Sequence, residues 1–257
     1  MPVEAAPLIG SRPDSMSPQT LIYAKKAQTS TGSQGPIMAE YADNSPYSYQ
    51  ESPIPYLNIG WLGKDTGIPQ SGPLAPESCV TILRREAQKA RGLSLGTHEC
   101  EFCTPAEAPV GNGEVHFYGR SGEAYAAPTL VAHYIEQHGY TPPPLFVQAV
   151  HDAGRNEWNA SAESLKRIAD DPSQELARRV DALLDLRFWK DPRAEESILE
   201  AAKDDEISLI AEYEIAMCLA TVWARHNTLD HTTLAQFSEE VRETAESDFT
   251  RLRQDVI

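Results

Sequence analysis

His98-Glu-Cys-Glu-Phe-Cys103 and His133-Tyr-Ile-Glu-Gln-His138 decide how this chain is read. Zinc is held by four nitrogen or sulfur donors in a tetrahedron, and a chain supplies them economically as two close pairs on adjacent elements. Cys100-x2-Cys103 has the knuckle spacing that lets two thiolates bind one ion, and His133-x4-His138 falls within the finger range. Between the pairs, Glu114–Tyr118 and Glu123–Tyr125 alternate like strands around Gly119-Arg-Ser-Gly122, which has hairpin-turn chemistry. Pro128 suits the first turn of a helix running through Leu130, Val131, Tyr134 and Ile135 to His138. Gly139 then offers a stop, and Pro142-Pro-Pro144 forbids continuation. The order Cys pair, hairpin, helix with His pair is that of a ββα Cys2His2 finger. We therefore expect Cys100, Cys103, His133 and His138 to hold one structural Zn2+, although the linker of 29 residues is longer than finger linkers usually are.

One geometric condition attaches to this reading. Positions five apart on an ideal helix are rotated by about 140°, so His133 and His138 share a face only if the final turn loosens. Gly139 is where that distortion costs least. His98 and His116 are spare imidazoles in the same region. His98 is an alternative ligand, and a solvent-exposed or hydrogen-bonded role is the commoner fate of each.

Outward from this unit the chain divides into three. Residues 1–55 are rich in Pro, Ser, Gln, Thr and Gly, a composition that does not offset the entropy of ordering, so a largely disordered segment is expected. Within it, Met38 is a candidate translation start, and the tyrosines of Tyr41 to Tyr49 are spaced to dock on a folded surface. Residues 56–150 form the expected zinc-binding domain, with a strand-like Tyr56–Leu62 and an amphipathic helix over 77–91 that Gly92 stops. Cys79, at the start of that helix, reads as a packed thiol.

Residues 151–257 form an acidic domain of helical pattern, with helices over 161–170, 173–189, 193–203, 206–226 and 232–253. Asp171-Pro172 and Asp191-Pro192 each supply a capping carboxylate and an N1 proline. Short loops between consecutive helices make hairpins that stack as a HEAT-like array or close as a bundle. The fold class is α+β with an all-α C-terminal region.

Charge narrows the functions. The chain carries 38 acids against 22 bases, and 24 of those acids lie beyond residue 150. Such a surface repels phosphate backbones, and the finger helix from Thr129 to His138 has no Lys or Arg with which to read a groove. No apolar run reaches membrane-spanning length, and no secretory signal pattern opens the chain, so a cytoplasmic location is expected. Catalytic signatures fit poorly. His98-Glu-Cys-Glu-Phe-Cys103 superficially resembles zinc deaminases, but those need His-x-Glu with Pro-Cys-x-x-Cys well downstream, so the spacing is wrong, and four protein ligands leave no position for water.

Two resemblances follow from these residues. Ser45-Pro-Tyr-Ser-Tyr49, Leu57-Asn-Ile-Gly-Trp-Leu62, His98-Glu-Cys-Glu-Phe-Cys103, Tyr125-Ala-Ala-Pro128 and His133-Tyr-Ile-Glu-Gln-His-Gly-Tyr-Thr-Pro-Pro143 resemble an uncharacterised bacterial family of hypothetical proteins over residues 38–150. That resemblance implies the cysteine–histidine pattern and no activity. The tail, with Ile215-Ala-Met-Cys-Leu-Ala-Thr-Val-Trp-Ala224, resembles HEAT-type helical proteins, some of which serve as immunity proteins to toxins. The expected function is a non-catalytic, zinc-stabilised module that binds a basic protein partner, an inhibitor being the sharpest version. Asp204, Asp205, Glu206, Glu239, Glu240, Glu243 and Glu246 are the candidate contact face. A nucleic-acid-binding regulatory finger and a metal-dependent enzyme are the alternatives.

Overall fold

The computed structural model describes residues 40–65, 67–88 and 98–254. Its centre is a three-stranded sheet of β1 (Leu57–Asn58), β4 (Glu114–Tyr118) and β5 (Ala124–Pro128), in the order β1-β5-β4. The β4–β5 hairpin is antiparallel, with Phe117 opposite Tyr125, and its turn closes through Gly119 and Gly122 as the sequence predicts. β1 pairs with β5 in parallel. Pro128 differs from expectation: it ends β5, paired with Glu114, and the helix begins at Val131. A separate two-stranded ladder joins β2 (His98–Glu99) to β3 (Val110–Gly111).

Both faces of the sheet are covered, so alternation along β4 sorts its residues between two cores rather than between core and water. Val115 and Phe117 point to one core, together with Tyr125 and Ala127 of β5. That core is completed by α1 (Glu77–Ala87), α2 (Val131–His138) and α3 (Pro144–Asp152), which supply Leu83, Ile135 and Phe146 among others. Tyr118, Ala124 and Ala126 point the other way, into a core shared with the C-terminal helices. Burying a large apolar side chain contributes about 1.5–3 kcal/mol, so each face of this small sheet is held by several such groups.

The regular elements described in the C-terminal region are all helices: α4 (Ala160–Asp170), α5 (Leu176–Leu186), α6 (Pro192–Ala201), α7 (Asp205–Ile210), α8 (Glu212–His226), α9 (His231–Leu234) and α10 (Glu239–Gln254). α4 packs on α5, α8 packs on α10, and α5 and α6 both lie against α8. Asp191 caps α6 by accepting from Arg193 N, with Pro192 at N1. Asp171-Pro172 behaves differently. It opens a turn in which Asp171 accepts from Ser173 and Gln174, and α5 starts later, at Leu176. Two expected helices are divided. The 206–226 helix breaks at Ala211 (φ −121°, ψ 36°), and the 232–253 helix breaks before Ser238, whose hydroxyl donates to Glu212 Oε2 at 3.0 Å.

Residues 1–39, including Met38, lie outside the described residues. Residues 40–55, within the segment expected to lack fixed structure, lie along β1 instead. Tyr41 N, Asn44 N and Tyr47 N donate to Trp61 O, Asn58 O and Tyr56 O at 3.1, 2.8 and 2.9 Å. The tyrosines dock as their spacing suggests, with Tyr41, Tyr47 and Tyr49 ringing Trp61 at centroid distances of 6.2, 6.3 and 5.0 Å. Each such aromatic pair adds about 0.5–1.5 kcal/mol beyond its buried area. Among the described residues, no helix is long and apolar enough to cross a membrane.

Candidate metal centre

The Cys pair sits in the loop that joins β2 to β3. Cys100 N donates to Pro109 O at 3.1 Å, extending the ladder, and Cys103 N turns back to Cys100 O at 3.4 Å, aiming both sulfurs to one side. Both histidines stand on α2, which faces that loop. The final turn of α2 is widened: Gly139 N–H bonds Tyr134 O, five residues back, and Gly139 takes the left-handed conformation at φ 66°. That widening swings His138 toward His133, leaving their Nε2 atoms 3.1 Å apart.

The four donor atoms of Cys100, Cys103, His133 and His138 all lie within 4.8 Å of one another. Cys100 Sγ is 3.2 Å from His138 Nε2, and Cys103 Sγ is 3.3 Å from His133 Nε2 and 3.4 Å from His138 Nε2. A tetrahedral ion with sulfur at ~2.3 Å and nitrogen at ~2.05 Å places S and N about 3.5 Å apart and two N about 3.4 Å apart. The observed separations fall within a few tenths of an ångström of those edges, so the residues fit a metal ion. Among the described residues, no other group of His, Cys, Asp and Glu does so.

The electrostatics suit ligation. Desolvation, and then the neighbouring His138, hold His133 below the usual imidazole range, so it is neutral and its lone pair is free to ligate. Desolvation and the adjacent Cys100 push the Cys103 thiol up, an effect that a shared cation reverses. Cys100 is buried, and the other three ligands are half-buried. Phe102 covers the site, its ring 5.5 Å from His138 and edge-on to Tyr134 at 6.0 Å. Gln70 Nε2 donates to His138 O at 3.0 Å, and Arg84 of α1 pairs with Glu136 of α2. His98 opens β2 opposite Gly111, and its side chain lies outside the described ones.

His116 is not a neighbour of this site. It lies on the opposite face of β4, in a buried polar network that sequence reading passed over. Its Nδ1 is 3.1 Å from Asp185 Oδ1 of α5, and its Nε2 is 3.0 Å from Glu114 Oε1. Tyr47 OH donates to Glu114 Oε2 at 2.6 Å. Tyr56 donates to Asp185 and lies 3.2 Å from the Tyr118 hydroxyl. Burial alone drives an imidazole toward neutral, but Asp185 and Glu114 outweigh it and push His116 up to about 9. Two signals were available: Glu114, His116 and Tyr118 alternate on one strand face, and Asp185 interrupts the apolar run Leu183-Leu184-Asp185-Leu186.

Of the acidic face, Asp205, Glu206, Glu239, Glu240, Glu243 and Glu246 are exposed. Asp204 is engaged internally, capping α7 through Glu206 N and Ile207 N and pairing with Arg179 at 3.1 Å.

Residues 39–151 match the family described as "Domain of unknown function (DUF7919)". The matched stretch contains all four candidate ligands and, among the described residues, every strand, and it ends with α3. The helices from α4 onward lie outside it. No curated protein and no solved structure matches the chain.

Proposed function

We propose that this chain is a non-catalytic protein in which Cys100, Cys103, His133 and His138 hold one structural zinc ion. The observation that carries the reading is the convergence of two sulfurs and two imidazole nitrogens at tetrahedral spacing. Bound there, zinc ties the β2–β3 loop to α2. With four protein donors the coordination shell is full, so the site lacks the open position that a hydrolytic metal needs. Elemental analysis of the purified chain tests this: one zinc per chain is expected, and a metal-free, fully folded protein would sink it.

The acidic helical region is, in this reading, the surface that meets a basic protein. Its support is the charge balance of −16 and the six exposed carboxylates on α7 and α10. An acidic inhibitor meeting a basic enzyme gains steering and specificity from such a face, and inhibition of a basic nuclease is the sharpest form of the proposal. A pull-down at low salt, repeated at high salt, distinguishes the readings. A basic protein held at low salt and released at high salt supports it. Recovery of nucleic acid, or of nothing, removes it.

A further inference from the structure

We propose that the Cys100–Cys103 pair is an oxidation site, at which hydrogen peroxide converts the two thiolates to a disulfide and opens the metal clasp. The inference rests on the metal reading above and adds a reaction to it.

Three observations point to this pair. The two sulfurs lie in one turn and within 4.8 Å of each other, so a modest rotation brings them to bonding distance without moving the helix. Their exposure differs: Cys103 is half-buried and accessible, while Cys100 is 2% exposed. That arrangement gives an oxidant one sulfur to reach and keeps the other close by to resolve the product. The remaining cysteines are shielded. Cys79 and Cys218 are both 0% exposed, and Cys218 Sγ faces Leu183 O at 3.6 Å.

The chemistry balances without a further reactant. The Cys103 sulfur attacks one peroxide oxygen, the O–O bond breaks, and a sulfenic acid forms as hydroxide leaves. Cys100 then attacks the Cys103 sulfur, an S–S bond forms, the S–O bond breaks, and a second hydroxide leaves. Two electrons pass from the two thiolates to the peroxide, and solvent protonates both hydroxides. Only His133 and His138 remain as donors, half of the set a structural zinc site needs. The loop that carries Cys100 and Cys103 then keeps the packing of Phe102 on Tyr134 and the bond from Lys64 N to Glu101 Oε2. Oxidation therefore frees the loop from the two histidines of α2 while its contact with the core through Phe102 remains.

The test uses the full-length, zinc-loaded chain, with zinc counted before hydrogen peroxide is added. Peroxide is expected to release all the bound zinc to a chromophoric chelator, one ion per disulfide formed. Peptide mass spectrometry should place that disulfide between Cys100 and Cys103, and thiol reductant should restore zinc binding. Cys79→Ala is expected to release zinc at the wild-type rate. Zinc retained through peroxide treatment, or released with Cys103 driven to sulfinic acid and no disulfide, overturns the inference and leaves the structural-zinc reading standing. Absence of zinc before peroxide overturns that reading instead, and the inference with it.

Discussion

The Nε2 atoms of His133 and His138 stand 3.1 Å apart although the two residues are five positions apart on one helix. The widened last turn makes this possible, and two cysteine sulfurs complete the cluster from a separate loop. Four donors brought together from two elements imply that removing any one of them weakens the whole site.

The first prediction concerns that cluster. Replacing zinc with Co2+ should give the intense visible absorption of a tetrahedral thiolate–imidazole site, and Cys100→Ser should abolish the band. Outer-shell changes cost metal sites roughly 10–100-fold in affinity, so loss of a ligand should cost more than about a hundredfold. Competition titration against a chelator of known affinity measures it. A Co2+ spectrum of octahedral type would contradict the geometry.

The sequence was most informative where chemistry is local. The knuckle spacing, the Gly119–Gly122 turn and the Asp191-Pro192 cap are each decided within a few residues, and each appears where it was read. The three-residue proline run was misleading in one respect. It ends the stretch after α2, as expected, but Pro144 is also N1 of α3, a helix that the breaker reading hid. The two-residue strands β1, β2 and β3 carry too little pattern to show a period. His116 is hydrogen-bonded, as one of its two expected fates, but its partners were not legible because β4 is covered on both faces. Alternation marks which residues share a face, not which face is wet, and Asp185 reaches it from 69 positions away in sequence.

The second prediction is a pH dependence centred on His116. Its folded-state pKa, about 9, lies above the ordinary 6.5, so the stabilisation is fully present below pH ~6.5 and is lost as pH rises through about 9. The linked free energy is on the order of 3 kcal/mol. Thermal unfolding should show Tm falling across that window, and His116→Gln should flatten the fall. At neutral pH the same variant removes the positive charge that His116 places between buried Glu114 and Asp185, a loss of about 3–5 kcal/mol.

The third prediction tests how residues 40–55 are anchored. Tyr140 OH donates to both oxygens of Asp43 at 2.9 Å, and Gly60 N donates to Asp43 Oδ1 at 2.9 Å. Tyr140→Phe should cost about 1–2 kcal/mol by leaving a largely desolvated carboxylate short of donors. Gly60→Ala should cost more, about 2–3 kcal/mol, for two reasons: Gly60 holds φ +68°, and a Cβ there would lie 3.0 Å from Val131 Cγ2. Denaturant midpoints for the two variants measure both effects, and equal, negligible shifts would mean that the 40–55 segment does not depend on this junction.

The last prediction separates folding from ligand placement. Gly139 caps α2 at φ +66°, and a Cβ there would meet only Gln70, at 3.3 Å from Nε2, the movable end of a side chain. Strain in Gly139→Ala therefore comes from the backbone, about 1–2 kcal/mol for a left-handed alanine. Relief of that strain requires the helix end to rewind, which rotates His138 away from His133. We expect zinc affinity to fall by about tenfold, the effect of 1.4 kcal/mol on binding, while the metal-free protein loses little in Tm because its cores are untouched. A variant that loses the same Tm with and without zinc would show that the widened turn serves the fold alone.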